Sequence, residues 1–179
     1  SIVDWRDRNT CVLFGDGAGA AVLQNRPNAH GLLTAVMGAD GRKADLLFMA
    51  GGGSRCPATT ESVAARMHYL RMEGKETFKH AVQAMVNAAT EALRRCDVDI
   101  TKIKCIIPHQ ANKTMVIDLA KAAGLSPDQL YFNIERVGNA SSASIPLAIH
   151  DAVRDQVITK PTRVFAPGFG AGAVAGYGI

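Results

Sequence analysis

Two residues of this sequence stand where a side chain could act on a bound molecule, His109 and Asn139. His109 follows the apolar run Ile103–Ile107 and Pro108, and a helix-like stretch opens at Ala111. Ligands of open α/β sheets gather at the carboxyl ends of strands, so a histidine there is held rigidly toward a cleft. Asn139 lies between Gly138 and Ala140-Ser-Ser, in a loop entering a helix, where small neighbours permit close approach. Position alone leaves structural roles open: a hydrogen-bonded or solvated histidine, and a left-handed Gly-Asn turn. His30, His68, His80 and His150 have no metal-ligand partner at helical spacing, and no metal is expected. The cysteines at 11, 56, 96 and 105 form no CxxC pair and no zinc spacing, so they read as reduced thiols. Cys11 and Cys105 sit in apolar runs as small buried hydrophobes, and Cys56, before Pro57, is the thiol expected to be exposed. Gly15-x-Gly-x-Gly19 leads into a strand-like run and not a helix, which excludes a dinucleotide fingerprint.

The elements that must hold these residues follow an α/β order. Residues 75–95 place Phe78, Val82, Met85, Val86, Ala89 and Leu93 on one helical face. A strand over Ile103–Ile107 precedes a helix over 111–123, which Gly124 stops. Ser126-Pro-Asp-Gln129 is a capping box, and the loop at 137–139 leads into a helix through about Val153, with Pro146 in its first turn. Strands alternating with helices predict a mostly parallel, buried sheet. Two hairpins are expected around glycine turns, at residues 11–23 and 163–177, and Gly38–Pro57 is expected to be an irregular surface excursion. The strings GDGAGA and GFGAGA recur 153 positions apart (168 − 15), a sign of internal duplication. On that reading residues 1–23 are the last hairpin of a first repeat and 24–179 a complete second repeat, with a comparable length of chain preceding Ser1.

Composition narrows the function classes. A chain of 179 residues, 47% hydrophobic and 20% charged, with mean hydropathy +0.04, supports one globular core. No apolar run reaches the roughly 18 residues of a membrane span. The opening residues carry no signal peptide. The net charge of +4 is spread without basic runs or interleaved aromatics, which argues against nucleic acid and leaves room for an acidic partner or a phosphorylated substrate. A cytoplasmic setting fits these features.

Pro108-His-Gln-Ala-Asn112, with Gly138-Asn-Ala-Ser-Ser-Ala-Ser-Ile-Pro146 following, resembles the paired signature of the β-ketoacyl-acyl carrier protein synthase III family; the two active residues lie 30 positions apart. Phe14–Val22 and Met72–Lys79 are similar to two further family segments in the same order, so the resemblance spans nearly the whole chain. It implies a thiolase-like fold, of which this chain would be the second βαβαβ-type repeat plus the last hairpin of the first. It implies an acyltransferase that loads an acyl group from an acyl-coenzyme A onto a cysteine outside this chain and condenses it with malonyl-acyl carrier protein. His109 and Asn139 would stabilise the enolate formed on decarboxylation. Neutral imidazole and carboxamide N–H groups do this without transferring a proton.

By the same resemblance, Arg8 and Asn112 would contact coenzyme A, and Phe14 and Gly74 would border the acyl pocket. Phe169, Gly170 and Ala171 would form the oxyanion loop, with alanine where the family has glycine. Lys79, Lys113 and Lys121 would receive the carrier protein. Two family basic positions are Ala122 and Thr114 here, a departure from the family's docking pattern. No tightly bound cofactor is implied; the coenzyme A thioester is a substrate, and a homodimer is expected. Two rival readings stand beside this one: a relative in secondary metabolism using coenzyme A-linked acceptors, and a non-catalytic half that acts as a binding partner.

Overall fold

The computed structural model describes residues 2–25, 31–122 and 124–178, so His30 and Ala123 lie outside the described residues. Its strands are β1 (Ala35–Gly38), β2 (Leu47–Met49), β3 (Leu70–Met72), β4 (Cys105–Ile106), β5 (Val164–Gly170) and β6 (Val174–Gly178). Its α-helices are α1 (Thr60–Ala64), α2 (Gly74–Cys96), α3 (Lys113–Ala122), α4 (Ile134–Val137) and α5 (Ser144–Arg154). The main sheet has the order β1-β6-β5-β4, and β2 pairs with β3 in a separate ribbon.

β4 shows why the architecture is layered. Successive side chains of a strand point to opposite faces. Ile106 packs with Ala92, Ile103 and Phe165 on the side covered by α2, while Cys105 and Ile107 pack with Ala148 and Ala152 of α5 on the other. Both faces of this strand are therefore dry, and each fully buried isoleucine contributes about 1.5–3 kcal/mol. The ladder continues past the two strand residues: Ile107 N–H donates to Phe165 O at 2.8 Å and His109 N–H to Pro167 O at 2.7 Å. The chain thus leaves the sheet with His109 pinned to β5.

The helix expected over 75–95 is α2, but its buried stripe runs through Thr77, Ala81, Met85 and Ala92, and Phe78 is 45% exposed. Left-handed Asp97 ends it, and Val98 N–H returns to Leu93 O. Arg94 and Arg95 both engage Glu91 near that end, where cations suit the helix dipole, and these contacts lower the Glu91 carboxyl to about 2. Gly124 stops α3 with φ +71°, as expected. The Ser126 capping box is present but opens only a 3-10 turn. Pro146 falls in the first turn of α5, as expected.

Several expectations need correction. Two of the three pairings in the main sheet are antiparallel, because β6 forms a hairpin with β5 and also runs antiparallel to the distant β1, and only β4–β5 is parallel. The hairpin expected at 163–177 is present as β5–β6, but its turn is shorter than the glycine string: Gly168, Phe169 and Gly170 pair with Gly176, Ala175 and Val174, which leaves the turn to residues 171–173. Residues 11–23 form no hairpin; Phe14 makes a single bridge, to Asn139, and residues 15–25 carry no regular secondary structure and no ladder partner among the described residues. The two glycine strings therefore differ in conformation. The cysteines also differ from expectation: only Cys105 is buried, and Cys56 is partly buried, as are Cys11 and Cys96. The 38–57 excursion carries a 3-10 turn and β2. It is anchored by the β2–β3 pairing, by Gly51 N–H donating to Met67 O at 2.8 Å and by Glu73 N–H donating to Leu46 O at 2.9 Å.

Candidate active site

His109 is partly buried at the end of β4, and Asn139 is buried, 6% exposed, between α4 and α5. One short segment ties the two together. Ser141 N–H donates to Asn139 Oδ1 at 3.0 Å, the Ser141 backbone also hydrogen-bonds the His109 imidazole, and Ser144 Oγ lies 2.7 Å from His109 Nδ1. With Oδ1 engaged, the Asn139 amide presents its Nδ2 donors. Burial pushes the His109 imidazole below its ordinary 6.5, and the Ser141 contact offsets part of that. The ring is therefore neutral at pH 7 and can donate a hydrogen bond while carrying no charge.

The Asn139 backbone is clamped from residues 13–15. Asn139 N–H donates to Leu13 O at 2.9 Å, and its carbonyl accepts from Gly15 N–H at 3.0 Å. Such an approach needs bare backbone. A Cβ on Gly15 would stand 2.1 Å from Val137 O, and one on Gly19 would stand 2.4 Å from Pro146 Cγ. The first glycine string is thus a contact track along the Asn139 loop and the start of α5.

Gln110, next to His109, fixes the loop on the other side. Its fully buried Oε1 accepts from Asn133 N–H and Ile134 N–H, both at 2.9 Å. Asn133 in turn donates to Asp151 Oδ2 at 2.9 Å, and Asp151 pairs with Arg136 and Arg154. The Asn133 and Arg136 contacts hold the Asp151 carboxyl below its usual range. Gln110→Ala strands two backbone donors, so the variant should lose about 2–6 kcal/mol, at 1–3 kcal/mol per unpaired group. Urea unfolding checks this, with Gln110→Glu as the control that keeps an acceptor. A parental midpoint for the alanine variant would remove the role given to Gln110.

The remaining sequence candidates spread around this centre. Phe14 is partly buried and bridges Asn139. Asn112 is exposed and caps α3, its Oδ1 accepting from Met115 N–H at 3.2 Å. Gly168 Cα lies close to His109, since a Cβ built there would stand 3.9 Å from the histidine Cβ. Phe169 and Gly170 continue that strand, and Ala171 is exposed in the turn. Arg8 and Gly74 are exposed, the latter as the first residue of α2. Lys79 and Lys121 are exposed on α2 and α3, while Lys113 is engaged with Glu135 and lies over the Phe132 ring at 5.5 Å. Among the described residues no cluster of His, Cys, Asp or Glu is arranged to hold a metal ion, and no helix is long and apolar enough to cross a membrane. Ser144, Gln110, Asn133 and Asp151 escaped the sequence reading. Ser144 sits in a run of small residues, and nothing in residue spacing marks the other three as partners.

The family model described as 3-oxoacyl-[acyl-carrier-protein] synthase III, C terminal, matches residues 93–179, and the companion synthase III model matches residues 1–41. The β-ketoacyl-[acyl-carrier-protein] synthase III of Caldanaerobacter subterraneus subsp. tengcongensis is 44% identical, over 96% of this chain and 52% of its own. That of Natranaerobius thermophilus is 43% identical, over 98% and 54%. The chain spans about half the length of the curated relatives it matches. The solved synthase III from Thermus thermophilus superposes with a TM-score of 0.86 at 36% identity, over 99% of this chain and 54% of that one. The priming β-ketosynthase of the R1128 polyketide pathway superposes with a TM-score of 0.82 at 28% identity, over 98% and 52%. These likenesses give the chain a thiolase-like fold.

Proposed function

The chain belongs to the 3-oxoacyl-[acyl-carrier-protein] synthase III family, and from that membership we propose that it is the part of a condensing acyltransferase that supplies the donors for decarboxylation. The arrangement of Asn139 and His109 on one scaffold, residues 139–144, carries this reading. In the proposed sequence a cysteine thiolate, on chain outside residues 1–179, attacks the acyl-coenzyme A carbonyl. The acyl thioester forms and coenzyme A leaves as its thiolate, which takes a proton from solvent. Malonyl-acyl carrier protein then loses carbon dioxide, and the electron pair of the broken C–C bond moves onto the thioester as an enolate. His109 and Asn139 N–H groups stabilise that oxygen. The enolate carbon attacks the acyl-cysteine carbonyl, and the cysteine leaves as thiolate. Phe169, Gly170 and Ala171 are proposed to border the oxyanion of that attack, Phe14 and Gly74 the acyl pocket, and Arg8 and Asn112 the coenzyme A.

We place the division between the two repeats at residues 23 and 24. The partners proposed are the nucleophile-bearing half, a second copy of the protein and the acidic carrier protein, in the cytoplasm. The fragment alone would be inactive. Since Glu135 engages Lys113, carrier docking would lean on Lys79 and Lys121. Thr114 and Ala122, at two positions that are basic in the family, favour one second reading: an acceptor linked to coenzyme A, as in secondary metabolism. The test is product formation by the full-length protein from an acyl-coenzyme A, with malonyl presented on carrier protein or on coenzyme A. Asn139→Ala should load acyl groups normally and lose condensation by about 10²–10³-fold. Unimpaired condensation in that variant would sink the assignment.

A further inference from the structure

We propose that Ser144 is a positioning residue for this chemistry: its hydroxyl donates to His109 Nδ1 and fixes the imidazole in the tautomer that carries its proton on Nε2. The contact is 2.7 Å long, and Ser144 is fully buried as the first residue of α5. A serine hydroxyl has one proton and two lone pairs, so it can either donate to a neutral ring nitrogen or accept from a protonated one. If it accepted from Nδ1–H, its own proton would need a second acceptor, and among the described residues no other partner of this side chain is found. A buried donor without an acceptor is costly, so donation to Nδ1 is the satisfied arrangement. Nδ1 then lacks a proton, and Nε2–H becomes the ring's one donor, for which a substrate would compete with the Ser141 backbone acceptor. The competing group is the Ser141 backbone, which also hydrogen-bonds the ring and favours its protonated form. The inference rests on the proposed decarboxylation for its catalytic consequence, though not for its geometry.

The deciding experiment is 15N NMR of the full-length protein labelled at histidine, with the His109 signals assigned by their loss in His109→Gln. At neutral pH the parent should show a pyridine-type Nδ1 and a pyrrole-type Nε2. Ser144→Ala should shift the population toward the opposite tautomer and slow malonyl decarboxylation by about 10- to 100-fold, the usual scale for a group acting through another. Loading from acyl-coenzyme A should be unchanged. Ser144→Cys, similar in size but a weaker donor, should fall between the two. A parent with its proton on Nδ1 overturns the proposal, and so does an unaltered tautomer in Ser144→Ala. If Ser144→Ala does not fold, the parent spectrum still decides. If the full-length protein turns out not to decarboxylate malonyl thioesters, the functional reading fails while the spectra continue to test the Ser144 contact.

Discussion

Replacing His109 with alanine in the full-length protein should lower decarboxylative condensation by about 10²–10³-fold, the usual loss for one oxyanion donor. Acyl loading should remain, because the cysteine chemistry does not pass through the imidazole. The donor works only while neutral, and burial has moved its titration below the ordinary 6.5. Condensation should therefore hold as pH falls through 6.5 and decline only lower, on a limb that is missing from the residual activity of His109→Ala. The sign for stability is the same. The unfolded chain takes up a proton at a higher pH than the folded one, so this group's contribution is full above 6.5 and is lost as pH falls through the folded value. Loading and condensation measured separately across this range check both statements. An acid limb unchanged by the substitution would assign the titration to another group.

Gly15→Ala should be the most damaging single methyl addition at the site. The new Cβ would stand 2.1 Å from Val137 O, a backbone atom that cannot turn aside. Relief requires residues 13–15 to leave Asn139, breaking the 2.9 and 3.0 Å backbone bonds that clamp it. Overpacking of about 1–3 kcal/mol and two lost hydrogen bonds near 1 kcal/mol each give about 3–5 kcal/mol. Gly138 faces this contact in a conformation essentially reserved for glycine, φ +66° and ψ −166°, so relief from that side is also closed. Urea unfolding and the condensation rate should fall together in Gly15→Ala. Parental values for both would show that the track along the loop is not needed.

Periodicity revealed what depends on one element at a time. The apolar spacing of α2, the stop at Gly124 and the tolerance for Pro146 at the start of α5 were all legible, and so was the placing of His109 at a strand end. Pairings between distant segments were not. A glycine-rich string written for close approach reads the same as one written for a turn, and this is why Gly15–Gly19 looked like a hairpin tip. The same limit hid the antiparallel partners of β6, and the short elements α1, α4, β2 and β3 carry too few residues for a period. Gln110, Asn133 and Ser144 work through partners 18–35 positions away, a distance that no local pattern records. His109 and Asn139 drew a chemical role from their resemblance to a family, since spacing alone left structural roles open.

The Phe14–Asn139 bridge joins positions 125 apart (139 − 14). Closing a flexible loop of that length costs about 4 kcal/mol in chain entropy by the (3/2)RT ln n rule. Its two backbone hydrogen bonds return about 1 kcal/mol each. The bridge cannot hold by itself and needs the intervening sheet and helices already in place to bring its ends together. The asparagine half of the site should therefore dock after the core: a chain with its core assembled but residues 13–15 undocked would hold His109 on its strand and still lack the clamp on Asn139.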